Sequence, residues 1–322
     1  MPSEFDLIQR YFLSDPRRDD VIEGIGDDGA VIRPPAGHDL VISVDTLIEG
    51  VHFPSGTQAA SVGHKALAVN LSDLAAMGAE PAWATLSLAL PQSDEAWLAG
   101  FSHGLRQLAD RFYVSLIGGD LVRGPLAISI QVIGLLPHAT AVCRHGARAG
   151  DFVFVTGSIG DAGLGLASMQ GAWPLDGNGS VQYCLSRLNE PSPRVAAGVA
   201  LRGLASAAID VSDGLSADLK RMLAASGVGA SIELTRIPLS AAARRLFGDS
   251  IDWDLVLTAG DDYELLFTVP ATRADALCKR FDSLNLPITH IGYIEQQVGL
   301  RFMEDGVERT LELSAGYDHF AV

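Results

Sequence analysis

Lysine is rare in this sequence, and its scarcity excludes one common way of binding phosphate. Only three of the 322 residues are lysines, Lys65, Lys220 and Lys279. None of them precedes Ser or Thr, so the chain has no Walker A loop of the form G-x-x-x-x-G-K-[ST]. If the protein handles phosphates, a group other than a P-loop lysine must neutralise their charge.

Cysteine and positive charge are also scarce. The three cysteines form no C-x-x-C pair, which predicts reduced thiols rather than a disulfide framework or a zinc site. With 23 Lys and Arg against 39 Asp and Glu, the net charge of −16 argues against non-specific binding to nucleic acid or anionic membranes. Neither a signal peptide nor a bilayer-length apolar run is recognisable. We expect a cytoplasmic protein with no nucleic-acid or membrane partner.

The order of β-like and helical runs predicts two α/β (α+β) domains. A chain of 322 residues, 48% of them hydrophobic, is long enough for two cores. Runs rich in Val, Ile and Leu alternate with helical runs in both halves, which favours mixed α/β layers. The predicted strands cover residues 40–45, 83–90, 113–119, 126–136, 152–157, 206–211, 230–234, 254–260, 263–269 and 289–294. A polar, basic stretch at 137–151 places the domain boundary between 1–138 and 139–322.

Aspartates recur where the predicted strands end. They are Asp27, Asp28, Asp45, Asp120, Asp210, Asp213, Asp261 and Asp262. Asp73 differs, because it lies on a predicted helix and shares a face with Asn70. Ligands of α/β sheets bind beyond the carboxyl ends of strands, and carboxylates gathered there repel one another unless cations intervene. Mg²⁺ prefers such oxygen ligands, so we predict that magnesium replaces the missing lysine.

Each motif also has a structural interpretation. A single Asp before a helix is often an N-cap, and "GDD" alone favours a turn. Asp73 alone would be an exposed helix residue. The glycines of "DFVFVTGSIGDAGLGLA" do not match G-x-G-x-x-G, so a packing turn is favoured over a phosphate cradle. The strand "VISVD" resembles that of aspartate-nucleophile phosphatases, but Leu47 stands where they need a second aspartate, which leaves a phosphatase as an alternative.

Taken together, the motifs resemble those of a known family. "GIGDDGAV", "NLSDLAAMGA", "IGGDLVRGP", "DVSDGLSADL", "GDDYEL" and "GYDHF" are similar to those of the thiamine-monophosphate kinases, within the superfamily of aminoimidazole ribonucleotide synthetase. The resemblance runs from about residue 4 to residue 320. It implies transfer of the ATP γ-phosphoryl group to thiamine monophosphate. It also implies a homodimer in which the N-terminal mixed sheets pair into a closed barrel, with a C-terminal α/β sandwich completing each active site.

The resemblance also implies roles for individual residues. Several Mg²⁺ ions would be held by Asp28, Ser43, Val44, Asp45, Asp73, Asp120, Asp210 and Asp213, of which Asp120, Asp210 and Asp213 would be catalytic. ATP would contact Gly119, Asp120, Arg144 and Ser212, and thiamine monophosphate would contact His52, Asp261 and Tyr317. Val44 departs from the Thr that the family often has, so only its backbone carbonyl can serve. Asp261 departs from the usual Glu.

The chemistry of the acceptor predicts direct transfer. A phosphate monoester has a second pKa near 6, so its attacking oxygen is already ionised at neutral pH and no general base is needed. The difficulty is repulsion, because each like-charge pair at ~4 Å costs several kcal/mol at an effective dielectric of about 20. We expect in-line, Mg-assisted transfer without a phosphoenzyme. Another ATP-using member of the superfamily and a non-catalytic nucleotide-binding module remain alternatives.

Overall fold

A computed structural model describes residues 3–13, 18–171 and 179–314. The chain divides into two compact units, each of which is described by itself. The N-terminal unit comprises Met1–Leu74 and Ala79–Ala139, and the C-terminal unit comprises Ala75–Gly78 and Thr140–Val322. Among the described residues, we find no helix whose length and apolar character would let it span a bilayer.

The N-terminal unit is a four-stranded sheet with helices on one face. Its helices are α1 (Glu4–Tyr11), α2 (Ala59–Ala76) and α3 (Glu95–Phe112). Its strands are β1 (Val21–Glu23), β2 (Val31–Ile32), β3 (His38–Ile48), β4 (Glu80–Leu90), β5 (Ser115–Arg123) and β6 (Ala127–Pro137). The four long strands lie in the order β3-β6-β4-β5, with β4 and β5 parallel and the other pairs antiparallel. Strands β3 and β5 are therefore the two edges of this sheet.

Helices α2 and α3 pack closely because small residues face each other. A Cβ built on Gly104 would lie 1.9 Å from the carbonyl oxygen of Ala60, so only glycine allows this approach. The Asp94 side chain caps α3 by accepting hydrogen bonds from the N–H groups of Ala96 and Trp97, both 3.0 Å long. The long strands of this unit contribute buried apolar residues to its core, among them Leu86, Leu88 and Ile130.

The C-terminal unit is a seven-stranded sheet with helices around it. Its strands are β7 (Asp151–Thr156), β8 (Ala207–Asp210), β9 (Gly229–Glu233), β10 (Leu265–Pro270), β11 (Ile288–Glu295), β12 (Gly299–Glu304) and β13 (Val307–Arg309). Its helices are α4 (Asp161–Met169), α5 (Ser180–Asn189), α6 (Val195–Leu201), α7 (Leu215–Ser226), α8 (Ala241–Phe247), α9 (Trp253–Thr258) and α10 (Ala274–Asp282). The strand order is β13-β12-β9-β11-β7-β10-β8, and β9 and β12 form its parallel pair.

Three sequence-based expectations about these elements are wrong. Residues 254–260 were expected to form a strand, but the helix α9 begins at Trp253 because the Asp252 side chain accepts the Leu255 N–H at 3.1 Å and caps it. Asp45 and Asp120 do not follow their strands. Strand β3 continues to Ile48 and β5 to Arg123, so both aspartates lie inside strands.

Candidate active site

The N-terminal unit joins strand β3 to helix α2 through predicted site residues. The Ser43 hydroxyl donates to Asp73 Oδ2 at 2.5 Å, and the Asp45 N–H donates to Asn70 Oδ1 at 3.0 Å. The Asn70 amide nitrogen in turn donates to the Ala66 carbonyl within α2 at 2.9 Å. Asp73 is half-buried, so its interpretation as an exposed helix residue is wrong. Asn70 and Asp73 use one face of α2 to meet β3, and this brings three oxygen-bearing side chains, Ser43, Asp45 and Asp73, to one region.

Gly119 and Asp120 form a separate region on β5. Gly119 has φ +153, and a Cβ there would lie 1.9 Å from the Leu86 carbonyl oxygen, so the position demands glycine. Asp120 is exposed and pairs with Ser87 of β4. Both residues line an otherwise apolar pocket beside α1, together with Ile8 and Phe12. The pocket therefore places apolar side chains beside one exposed carboxylate.

Asp45 and Asp120 lie far apart within the unit. Thr46, Ser129, Ser87 and Asp120 form one row of paired residues across the four strands, and Thr46 directly follows Asp45. Three strand spacings of about 4.8 Å separate the two ends of this row by roughly 14 Å. The side chain of Asp45 lies on the other face of the sheet from this row, because Asp45 pairs with the buried Ile130 and directly precedes Thr46.

The other predicted residues of this unit lie in more open positions. Asp28 is exposed between β1 and β2, and its N–H donates to Asp27 Oδ1 at 2.7 Å. Val44 lies on β3 with 60% of its surface exposed. His52 follows β3, and its Nδ1 accepts the Ile48 N–H at 3.0 Å.

In the C-terminal unit, Asp210 ends β8 as predicted, and Ser212 and Asp213 follow it. The N-cap of α7 is Gly214, with no side-chain hydrogen bond, so the alternative that Asp210 or Asp213 caps this helix is wrong. The buried Asp218 carboxylate instead accepts the N–H groups of Ser212 and Asp213, each at 3.0 Å. Arg221 pairs with both Asp213 and Asp218 at 2.5 Å. Burial raises the pKa of Asp218 to about 6.

The turn at 260–264 lies directly beside this segment. The Asp261 N–H donates to the Ser212 carbonyl at 2.8 Å, and the Tyr263 N–H donates to the Val211 carbonyl at 2.9 Å. Asp261 and Tyr263 both have left-handed backbones, with φ of 61 and 50, which non-glycine residues rarely adopt. The turn thus brings Asp261, a predicted substrate contact, against Ser212, a predicted ATP contact.

A buried charge cluster holds this turn, and sequence reasoning missed it. The Glu264 side chain is fully buried and accepts from Thr156 Oγ1 at 2.6 Å, from Arg194 Nε at 2.7 Å and from Arg187 Nη2 at 3.0 Å. Asp262 is also buried and accepts the Gly160 N–H at 2.8 Å. The only signal in the sequence was the acidic "DDYE" next to an apolar strand.

The Asp262 contact settles the interpretation of the glycine-rich segment. Gly160 is the N-cap of α4, so this helix N-terminus is occupied by the chain's own carboxylate, and the packing interpretation is confirmed. Nearby, the buried Asp161 accepts hydrogen bonds from the hydroxyls of Ser158 and Ser240, both at 2.5 Å. Burial raises the pKa of Asp161, and it raises that of Asp262 well above the ordinary value.

Two residues that were predicted to contact ligands remain, Arg144 and Tyr317. Arg144 is exposed, in a segment without helix or strand that follows Pro137. Tyr317 lies outside the described residues.

The predicted metal ligands fit magnesium by their chemistry. All of them offer oxygen atoms, which Mg²⁺ prefers, and none offers nitrogen or sulfur. Within residues 3–13, 18–171 and 179–314, no group of three or more His, Cys, Asp or Glu side chains lies close enough together to hold a metal ion.

Comparison with known families gives the class of the chain. Residues 26–136 match the family described as AIR synthase related protein, N-terminal domain, and residues 148–304 match AIR synthase related protein, C-terminal domain. These matches and the mixed α/β fold of two units define an AIR synthase related protein.

Similarity to individual proteins identifies the family more narrowly than the two domain matches do. The thiamine-monophosphate kinase of Salmonella typhimurium is 45% identical over 320 residues, which cover 99% of this chain and 98% of that one. The crystal structure of thiamine-monophosphate kinase from Stenotrophomonas maltophilia is 45% identical and has a TM-score of 0.84, over 91% of this chain and 93% of that chain. A structure of AaThiL complexed with AMPPCP and TMP is 30% identical, with a TM-score of 0.78 over 98% and 96% of the two chains. The chain belongs to the thiamine-monophosphate kinase family.

Proposed function

We propose that this protein transfers the γ-phosphoryl group of ATP to thiamine monophosphate, giving thiamine diphosphate and ADP. The observation that carries the proposal is the nearly full-length similarity to thiamine-monophosphate kinases, one of them solved with AMPPCP and TMP. AMPPCP is a non-hydrolysable analogue of ATP, and TMP in a kinase of this name is thiamine monophosphate. The two ligands are therefore the donor and acceptor that the sequence motifs imply.

The proposed Mg²⁺ ligands are those implied by the motifs. They are Asp28, Ser43, the Val44 carbonyl, Asp45, Asp73, Asp120, Asp210 and Asp213. Magnesium held by these residues would neutralise the negative charge of the phosphates. The Ser43 hydroxyl donates to Asp73 Oδ2 and so helps to orient that carboxylate. Arg221 does the same for Asp213 in the other unit.

Each of the two substrates is assigned its own group of residues. Gly119, Asp120, Arg144 and Ser212 would contact ATP, and His52, Asp261 and Tyr317 would contact thiamine monophosphate. The close hydrogen bond between the Asp261 N–H and the Ser212 carbonyl supports placing a substrate contact beside an ATP contact.

Transfer in this proposal is direct. An ionised oxygen of the acceptor phosphate forms a bond to the γ-phosphorus while the bond from that phosphorus to the β–γ bridging oxygen breaks, and the electron pair leaves with ADP. The acceptor oxygen has no proton to lose near neutral pH, so the residues need only orient the two phosphates and exclude water. No enzyme side chain becomes phosphorylated.

The proposal also covers the domain organisation, the oligomeric state and the cellular location of the protein. We place the N-terminal ATP- and Mg-binding domain at 1–138 and the C-terminal domain at 139–322. We also propose a cytoplasmic homodimer that pairs through the N-terminal sheets. Exposed apolar side chains on the edge strand β3 support pairing, with Ile42 58% and Val44 60% exposed.

The direct test is product formation. We expect the purified protein, ATP, Mg²⁺ and thiamine monophosphate to yield thiamine diphosphate, detected by chromatography. Asp120→Asn and Asp210→Asn should each lower kcat/KM on the order of 100-fold or more, because each removes charge stabilisation of the transferring group. Asp39→Asn is the matched control, since Asp39 is exposed and pairs with His138. Phosphorylation of a different acceptor would refute the substrate, and an acyl-phosphate on Asp45 without ATP would support a phosphatase instead.

A further inference from the structure

Tyr263 contacts the side chain of Asp261, the residue that the proposed function assigns to thiamine monophosphate. The Tyr263 hydroxyl donates a hydrogen bond to Asp261 Oδ1 at 3.1 Å. An ionised carboxylate has only acceptor oxygens, so the phenol is the donor. Tyr263 is buried, with 8% of its surface exposed, whereas Asp261 is half-buried. A buried ring therefore holds a hydroxyl against the carboxylate of a residue that solvent can reach.

The backbone of both residues is fixed against the segment that carries Ser212. The Asp261 N–H donates to the Ser212 carbonyl at 2.8 Å, and the Tyr263 N–H donates to the Val211 carbonyl at 2.9 Å. A Cβ built on Gly260 would lie 2.4 Å from the same Ser212 oxygen, so this close approach requires glycine. The main chain is thus held at both residues whose side chains meet.

The two residues that alternate with them anchor the turn in the interior. The buried Asp262 accepts the Gly160 N–H at 2.8 Å, and the buried Glu264 pairs with Arg187 at 3.0 Å. Arg187 also donates to the Asp262 carbonyl at 3.2 Å, which ties one arginine to two residues of the turn. These contacts leave the turn little freedom to change its shape.

Asp261 and Tyr263 keep left-handed backbones within this anchored turn, with φ of 61 and 50. Non-glycine residues persist in such conformations only where the surrounding structure enforces them, and they are concentrated at ligand sites. Here the enforcement comes from the backbone hydrogen bonds to Val211 and Ser212 and from the anchors at Asp262 and Glu264. The strain falls on the two residues whose side chains meet, which indicates that the turn serves to place those side chains.

The hydroxyl of Tyr263 does more than fill space. Phenylalanine has the same ring and would bury the same apolar surface without taking a polar group into the interior. A buried hydroxyl lowers stability unless it is hydrogen-bonded, and Asp261 supplies an acceptor. Beyond packing, the hydroxyl provides a fixed donor for one carboxylate oxygen, and this donor restricts the rotation of the carboxylate.

The charge of Asp261 determines which part of the substrate it can contact directly. A carboxylate and the phosphate of thiamine monophosphate repel each other at short range. The same molecule carries a thiazolium cation and an amino group, and both are complementary to a carboxylate. The orientation of Asp261 should therefore affect the binding of thiamine monophosphate more than the transfer of the phosphoryl group.

We propose that Tyr263 is a positioning residue for the acceptor substrate. Its hydroxyl holds the Asp261 carboxylate in the orientation that meets thiamine monophosphate, and the anchored turn holds the tyrosine ring. The inference rests on the proposed function for the role of Asp261, and on the hydrogen bond and the strained turn for the role of Tyr263.

Removal of the hydroxyl alone tests this role. Tyr263→Phe should raise the KM and the calorimetric Kd for thiamine monophosphate about 5- to 10-fold, the effect of losing one hydrogen bond of ordinary strength. The kcat and the KM for ATP should stay within about twofold of wild type, because the lost interaction concerns binding of the acceptor. Tyr293→Phe is the matched control, since Tyr293 is 43% exposed on β11, and it should change none of these constants. Unchanged KM and Kd in Tyr263→Phe, or a loss confined to kcat, would overturn the inference.

A double-mutant cycle separates positioning from a purely structural effect. In the Asp261→Ala background there is no carboxylate to orient, so adding Tyr263→Phe should change kcat/KM for thiamine monophosphate by less than about twofold. An independent effect of the tyrosine on the fold would instead lower kcat/KM by the same factor in both backgrounds, and that result refutes the role. Asp261→Gly replaces Asp261→Ala if the latter does not fold, because glycine adopts a φ of 61 without strain. Thermal unfolding of each variant by circular dichroism shows which are folded.

The wild-type protein, assayed in parallel, distinguishes the two proposals. If it neither forms thiamine diphosphate nor binds thiamine monophosphate in the calorimeter, the proposed function is wrong and the role of Tyr263 is lost with it. If the wild type is active and Tyr263→Phe has the same constants, the proposed function stands and only the positioning role is wrong.

Discussion

Glu264 offers the sharpest test of how the C-terminal unit is held together. Its carboxylate is fully buried between two arginines, and the Arg187 and Arg194 side chains are only 11% and 20% exposed. Glu264→Gln keeps the size of the side chain and removes its charge. The two guanidinium groups then lose the carboxylate that pairs with both of them. Removing one partner of a buried ion pair typically costs about 3–5 kcal/mol.

That cost is large relative to the stability of a domain. Folded domains are stable by about 5–15 kcal/mol, so the variant should lose a substantial fraction of the free energy of unfolding. For a unit of this size, each kcal/mol lowers Tm by roughly 2–4 °C, which predicts a decrease of about 6–20 °C. Urea denaturation followed by circular dichroism, together with thermal unfolding, measures both quantities.

A second Glu–Arg pair in the same unit provides the control. Glu304 pairs with Arg309 at 2.8 Å, but their side chains are 34% and 58% exposed. Exposed pairs contribute about 0–1 kcal/mol, so Glu304→Gln should change the free energy of unfolding by less than about 1 kcal/mol. If Glu264→Gln is no more destabilising than Glu304→Gln, the argument that the buried pair holds the 260–264 turn is refuted.

Two further predictions concern Asp161 and Gly119. Burial raises the pKa of Asp161 in the folded protein, so the stability that the protonated carboxyl contributes is present at low pH and is lost as the pH rises through the folded pKa. The stability of the wild type relative to Asp161→Asn should therefore fall as the pH rises above about 4. A difference in urea denaturation that does not depend on pH would contradict this. Gly119→Ala should destabilise the N-terminal unit by about 1–3 kcal/mol, because the new Cβ strikes the Leu86 carbonyl. Gly124→Ala is its control, since a Cβ there lies 3.5 Å from that of Ala89, and equal Tm values for the two variants would show the reasoning to be wrong.

Much of the fold was accessible from the sequence because local patterns determine it. The alternating apolar runs around β3, β4 and β6 and the helical spacing of α2 lie where the periodicity indicated. The prediction of a strand at 254–260 was wrong because a short apolar run fits a strand or a buried helix equally well. Here the side chain of Asp252 accepts the Leu255 N–H and forms the N-cap of a helix.

The candidate site was predicted less completely than the fold, because many of its contacts join residues that are far apart in the sequence. The motif aspartates could be found because each stands in a recognisable local pattern. Glu264, by contrast, acquires its partners from residues 70, 77 and 108 positions earlier, namely Arg194, Arg187 and Thr156. No local sequence pattern predicts contacts between residues so far apart in the chain. The distance between Asp45 and Asp120 depends in the same way on strand order, which the positions of the strands along the chain do not determine.

The strand order of the C-terminal unit also constrains when the protein can fold during synthesis. Within the described residues, β8 is an edge strand whose one neighbouring strand is β10, so the pairing of Asp210 with Leu265 forms only after Leu265 and the residues after it have left the ribosome. Some 55 residues of already synthesised chain must therefore wait, with their apolar segments exposed to chaperones and proteases. A nascent chain that stops before β10 would contain β8 without the strand that pairs with it.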